Sequence, residues 1–190
     1  MRVGIFSGTF NPVHEGHLLL AKGAQKELQL DQVLWVPTPL PPHKSVEGKV
    51  SPKDRAHMVE LAIQGNPSFH LSRVELDRSA PYYTVDTVEL LKKQAKDLKG
   101  EWFLLVGSDD AKELPTWHQY QKLLGEVQCV VVPRPGYATA PLLKGMKQIQ
   151  VDTLKISSSE IRQRIREGHA IRGLVPESVQ RYIEKKGLYR

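Results

Sequence analysis

The densest chemical signal in the chain lies between Gly8 and His17, in the run Gly8-Thr9-Phe10-Asn11-Pro12-Val13-His14-Glu15-Gly16-His17. Gly8 can bend the backbone tightly, and a position without a Cβ lets a phosphate approach the main chain. His14 and His17, spaced i and i+3 in the first turn of an expected helix, lie on one face and project toward the same point. That point is a helix N-terminus just beyond a strand's carboxyl end, where amide N–H groups and the helix dipole favour an anion. The stretch therefore reads as a phosphate site with two imidazole donors. Other readings of the same residues stay open. HxxH is half a zinc site, although zinc asks for three or four ligands and Cys129 has no CxxC partner. Histidines also stand on ordinary solvent-facing helix starts. The dinucleotide fingerprint GxGxxG is absent, because Gly4 and Gly8 have the wrong spacing.

A second anion site is offered by Lys155-Ile156-Ser157-Ser158-Ser159-Glu160-Ile161-Arg162. Serines at a helix start supply hydroxyls and backbone N–H groups, and Arg162, about one turn in, reaches the same anion. By itself this is also a good N-cap followed by an amphipathic helix with its arginines in water. Gly107-Ser108-Asp109 suits close approach at a strand end, with a carboxylate to accept from ribose hydroxyls. It equally suits a strand-ending turn whose Asp109 caps the next helix. In Pro39-Leu40-Pro41-Pro42-His43-Lys44, prolines stiffen a loop and Lys44 offers a compact positive charge for a monophosphate. A rigid exposed loop with a solvated lysine fits as well. Tyr82, Tyr83 and Trp117 are either a platform for a flat ring or packing residues at helix starts.

The elements that must position these groups alternate between strand and helix. Strands are expected over Arg2–Phe6, Gln32–Pro37, Phe69–Leu76, Glu101–Val106, Val127–Pro133 and Ile149–Thr153. Helices are expected over Glu15–Leu28, Pro52–Ile63, Val85–Leu98, a short piece after Gly107, Thr116–Leu124, Ser158–Glu167 and Pro176–Lys186. Ser51 can cap the second helix with Pro52 at its first position, and Gly187 stops the last. This alternation argues an α/β fold: a Rossmann-like, doubly wound, mainly parallel sheet with helices on both faces. Ligands would sit outside the carboxyl ends of its strands. The most linker-like stretch, Pro133–Lys147, reads as a surface excursion within a single domain spanning 1–190.

Composition bounds the function classes. The chain has 190 residues, 40% hydrophobic and 25% charged, the balance of a globular domain with a real core. No apolar run approaches a membrane span and the N-terminus shows no signal-peptide pattern, so no membrane partner is expected. One cysteine excludes an internal disulfide framework and fits a reducing, cytoplasmic setting. A net charge of +6 suits either nucleic acid or a small polyanion such as a nucleoside triphosphate. No nucleic-acid-binding motif is present, so no nucleic-acid partner is expected. The sequence is compatible with a homo-oligomer and does not specify one.

Gly8-Thr9-Phe10-Asn11-Pro12 followed by His14-x-Gly16-His17 resembles the signature of the nucleotidyltransferases that share the HxGH motif. Within them, the chain resembles the bacterial nicotinate-nucleotide adenylyltransferases. Pro41-Pro42-His43-Lys44, Tyr83-Thr84-Val85-Asp86-Thr87, Gly107-Ser108-Asp109, Leu114-Pro115-x-Trp117, Arg134-Pro135-Gly136 and Ile156-Ser157-Ser158-Ser159-x-Ile161-Arg162 follow in that family's order. Gly187-Leu188-Tyr189 closes the match, which spans nearly the whole chain.

The resemblance implies transfer of the adenylyl group of ATP to nicotinate mononucleotide, with Mg²⁺ carried by ATP and no metal held by the protein. It implies catalytic roles for His14, His17 and Arg162. ATP would be held by Gly8, Thr9, Phe10, Gly107, Asp109, Ile156, Ser157 and Ser158. The mononucleotide would be held by Lys44, Thr84, Trp117 and Arg134, with Trp117 stacking on the pyridine ring. The backbone N–H groups of Thr84 and residue 117 would contact its carboxylate. Three positions depart from the family pattern: Ser7 and Ser108 stand where glycine and alanine are usual, and Ser159 where threonine is.

Overall fold

The computed structural model describes residues 1–40, 50–95, 100–133 and 142–190. Six parallel strands form one sheet: β1 (Arg2–Gly8), β2 (Gln32–Pro37), β3 (Phe69–Leu71), β4 (Glu101–Gly107), β5 (Gln128–Val132) and β6 (Met146–Gln148). Their order is β3-β2-β1-β4-β5-β6. Six α-helices accompany them among the described residues: α1 (Glu15–Glu27), α2 (Pro52–Ile63), α3 (Thr84–Gln94), α4 (Tyr120–Glu126), α5 (Ser158–Arg166) and α6 (Glu177–Lys186). Single 3₁₀ turns cover Asp110–Lys112 and Leu114–Thr116. This is the doubly wound, Rossmann-like α/β fold that the alternation predicts. Strand order reverses between β1 and β4, and in such sheets the crevice at that reversal takes the ligand.

The two-residue period of the strands divides the interior into two cores. Phe103, Leu105, Val130 and Val132 point to one face, where Leu18 and Ala21 of α1, Met58 and Val59 of α2, Ile161 of α5 and Val179 and Ile183 of α6 cover them. Trp102, Leu104, Val106, Cys129 and Val131 point to the other, under Val85, Val88 and Leu91 of α3 and Leu123 of α4. Trp35, fully buried, anchors the first core in an aromatic cluster with Phe6, Phe10 and Phe69, ring centroids 4.8, 5.4 and 5.6 Å away.

Several boundaries differ from expectation, each for a local reason. β3 stops at Leu71 instead of Leu76: after a last bond to β2 from Ser72 N–H to Trp35 O, the chain turns, with Asp77 N–H donating back to Arg73 O. The strand expected over Ile149–Thr153 lies earlier, over Met146–Gln148. Its last bond to β5 is Ile149 N–H to Val131 O, and β5 ends one residue later, at Val132. α4 begins at Tyr120 because Gln119 takes a left-handed backbone (φ 50°) and breaks any helix from Thr116. α3 runs over Thr84–Gln94, and residues 96–98 of the helix expected to Leu98 lie outside the described set. Gly187 closes α6 in the left-handed region, as its type predicts.

Candidate active site

A cleft of roughly 680 Å³ opens at the carboxyl ends of β1 and β4. Residues expected to cooperate from distant parts of the sequence line it together: Gly8, Thr9, Phe10, His14 and His17 after β1, and Gly107 and Asp109 after β4. Thr84 and Trp117 line it from one side, and Ile156, Ser157, Ser158 and Arg162 from the other. Lys44 and Arg134 lie outside the described residues.

The β1–α1 turn is built unusually. Phe10 has a left-handed backbone (φ 46°), uncommon for a residue with a bulky side chain. Its ring is buried edge-on to Phe6 and His17, at 5.5 and 5.2 Å. His14 is not inside the first helical turn, as its spacing suggests; its extended backbone (φ −147°, ψ 170°) makes it the N-cap of α1. The two imidazoles still meet, stacked with centroids 3.7 Å apart and planes 27° apart. His17 Nδ1 accepts from the backbone N–H of His14 at 3.2 Å, which puts the ring proton on Nε2. That tautomer makes His17 a donor, the role an anion requires.

Gly16 explains itself in this geometry. A Cβ there would lie 3.1 Å from His14 Nδ1 and 3.2 Å from Cε1, so the glycine lets the first imidazole fold over the helix start. A Cβ at Gly107 would meet Asp109 Oδ1 at 2.6 Å, so a side chain there would make the Asp109 carboxylate move.

The start of α5 is pinned to the β1–α1 turn. Ser157 Oγ caps the helix by accepting from Glu160 N–H at 3.1 Å, while Ser158 Oγ donates to Pro12 O at 2.9 Å. Arg162, 6% exposed, donates from Nη1 to Asn11 O at 2.9 Å and from Nη2 to Ser159 Oγ at 3.2 Å. Threonine at 159 would offer the same hydroxyl. Ser7 Oγ pairs with Thr38 Oγ1 at 3.1 Å, so the serine in the glycine position adds a link between β1 and β2.

Trp117 lines the cleft together with Tyr83 and His118, whose rings stack with centroids 4.1 Å apart. Glu75, nearly fully buried, accepts from Thr87 Oγ1 at 2.7 Å. Arg78 Nη2 donates to that hydroxyl and Nη1 to Pro81 O. Burial pushes the Glu75 carboxyl above the ordinary carboxylate range, against hydrogen bonds from Thr87 and Thr38 and the charge of Arg78.

Sequence reasoning missed Glu75, His118 and Arg55. For Arg55 a signal existed: it falls on the apolar stripe of α2 with Met58 and Val59 at i+3 and i+4, where a charge is out of place unless it has a buried task. Among the described residues no cluster of three or more His, Cys, Asp or Glu is arranged to hold a metal ion, and no helix is long and apolar enough to cross a membrane.

Comparison with known proteins agrees with this architecture. Residues 5–164 match the cytidylyltransferase-like family. The probable nicotinate-nucleotide adenylyltransferase of Geobacillus thermodenitrificans (strain NG80-2) is 42% identical over 191 residues, covering 99% of this chain and 86% of its own length. The nicotinate-nucleotide adenylyltransferase of Bacillus subtilis (strain 168) is 39% identical, covering 99% and 98%. Among solved structures, Plasmodium falciparum nicotinic acid mononucleotide adenylyltransferase complexed with NaAD superposes with a TM-score of 0.79. At 19% identity, covering 99% of this chain and 97% of that one, it speaks to the fold. With full-length identity at this level and the HxGH cleft in place, the chain belongs to the nicotinate-nucleotide adenylyltransferases, within the cytidylyltransferase-like family.

Proposed function

We propose that this protein transfers the adenylyl group of ATP to nicotinate mononucleotide, giving nicotinate adenine dinucleotide and pyrophosphate. One observation carries the reading: His14 and His17 near the start of the sequence and Arg162 near its end share one cleft with Gly107, Asp109, Thr84 and Trp117 at the sheet's switch point. The names and full-length identities of the relatives support the same substrates.

An oxygen of the mononucleotide's 5′-phosphate attacks the α-phosphorus of ATP. The bond from the α-phosphorus to the bridging oxygen breaks, and pyrophosphate leaves with that electron pair. The attacking group is already an anion, so no covalent intermediate or strong base is needed. Catalysis is positioning plus stabilisation of the charge on the transferring group. His17, with its proton on Nε2, donates to a phosphate oxygen, and His14 stacked beside it serves the same group. Arg162 and the start of α5 face the triphosphate, whose negative charge the helix N-terminus favours. Asp109, folded back over Gly107, is placed to accept from ribose hydroxyls. Mg²⁺ enters as part of the MgATP substrate, bound by phosphate oxygens and water as hard cations prefer. Trp117 supplies a face for the pyridine ring, and the N–H at the start of α3 supplies a donor for its carboxylate.

Pyrophosphate release from MgATP, measured with the acid and the amide mononucleotides side by side, tests the assignment. Turnover with the acid well above that with the amide is expected. Preference for the amide, or release with neither, would overturn it.

A further inference from the structure

Arg55 of α2 stands outside the machinery described above, yet it is the most deeply buried cation among the described residues, only 1% exposed. Its guanidinium donates from Nη1 to Thr9 O at 2.5 Å and to Thr38 O at 2.8 Å, and from Nη2 to Pro39 O at 2.8 Å. Thr9 belongs to the turn after β1, and Thr38 and Pro39 to the chain leaving β2. Thr9 and Thr38 both line the cleft. One side chain thus ties the ends of two adjacent strands by three charge-assisted bonds in a low-dielectric setting.

The turn it holds is the strained one. Arg55 fixes the carbonyl of Thr9, Arg162 fixes that of Asn11, and Phe10 sits between them in its left-handed backbone. The buried Tyr189 hydroxyl, near both arginine charges, donates to Asn11 Oδ1 at 2.9 Å. A left-handed phenylalanine persists only where its surroundings over-determine it. Here two guanidiniums and a phenol do so from opposite sides.

We propose that Arg55 is a positioning residue that sets the distance between the triphosphate-facing turn at residues 9–11 and the chain leaving β2 at Thr38, which also lines the cleft. Its loss then slows the transfer step without weakening either substrate's own binding. This rests on the adenylyl-transfer assignment above. If each substrate on its own rests mainly against one of these two segments, its binding tolerates a shift between them. In-line attack needs both segments in register, and a misplacement near 1 Å costs about 10²-fold in rate. Lysine at 55 keeps the charge but reaches fewer of the three carbonyls as a single point donor, and methionine leaves all three unsatisfied.

The experiment compares wild type with Arg55→Lys and Arg55→Met. It measures kcat by pyrophosphate release, the Kd of MgATP alone and of nicotinate mononucleotide alone by calorimetry, and the folded fraction from thermal melts. Rates are expressed per folded molecule. For Arg55→Lys the expected result is a fall in kcat of about 10²-fold with both single-substrate Kd values within about 3-fold of wild type, and a larger fall in kcat for Arg55→Met. Wild-type kcat in Arg55→Lys overturns the proposal, as does a loss confined to Kd or KM. Variants that never fold make Arg55 a folding residue and overturn it too. Absence of turnover in the wild type overturns the adenylyl-transfer assignment itself, so the two failures are told apart by the wild-type measurement.

Discussion

Replacing Gly16 with alanine should separate the fold's requirements from those of the imidazole pair. The added Cβ would lie 3.1 Å from His14 Nδ1, whereas comfortable contact begins near 3.4 Å, so the ring must yield by about 0.3 Å. His14 is stacked on His17 at 3.7 Å, and moving one ring disturbs the stack. If a 1 Å misplacement costs about 10²-fold and the logarithm of the cost scales with distance, 0.3 Å costs about four-fold in kcat. Stability should respond differently. Alanine gains up to ~1 kcal/mol over glycine in a helix interior, less at the second position of α1, and the strained contact offsets part of it. The net change should stay within about 1 kcal/mol, or ~2–4 °C in Tm for a chain of this size. Pyrophosphate release at saturating substrates and a thermal melt on the same sample read both numbers. Wild-type kcat in Gly16→Ala would refute the argument that the glycine exists to seat His14. A Tm loss beyond ~5 °C would refute the premise that the contact relaxes locally.

Other outcomes follow from the same structure. His17→Ala, which removes the Nε2 donor, should remain folded and lose on the order of 10²–10³-fold in turnover; a loss under ten-fold would contradict the donor role. Trp35→Ala empties a fully buried site between three phenylalanines and should cost about 3–5 kcal/mol, or roughly 6–20 °C in Tm, by calorimetry; a drop under 3 °C would show that the cluster collapses freely. Burial raises the pKa of Glu75 in the folded state, so between the unfolded value near 4.5 and the raised value the folded protein binds the extra proton and stability falls as pH rises. Glu75→Gln should therefore gain relative to wild type as pH climbs through that window, by up to ~1.4 kcal/mol per pH unit in urea melts; a constant difference would refute the burial argument. Burial also pushes the Cys129 thiol up to about 12, so thiol reagents at neutral pH should react only after denaturation, and reaction with the native protein within minutes would refute it.

The sequence alone determined the alternation of strand and helix and thereby the doubly wound sheet, because periodicity of two and of 3.6 is written in local residue order. It offered candidate residue types for anion binding as well, His14, His17, the serines and Arg162 standing out by chemistry and spacing, and it marked Gly187 as the stop of the last helix. Tertiary structure decided where strands stop, since β3 and β6 end where their own chain turns away from a neighbour that runs on, which no local pattern records. It also decided that His14 caps α1 instead of riding on it, and that Arg162 grips Asn11 across the whole chain. The tasks of Arg55, Glu75 and Tyr189 were settled only by folding: Arg55 is held by backbone carbonyls, which are the same at every position of a sequence, and Glu75 and Tyr189 by side chains of Thr87 and Asn11 that only the fold brings within hydrogen-bonding distance.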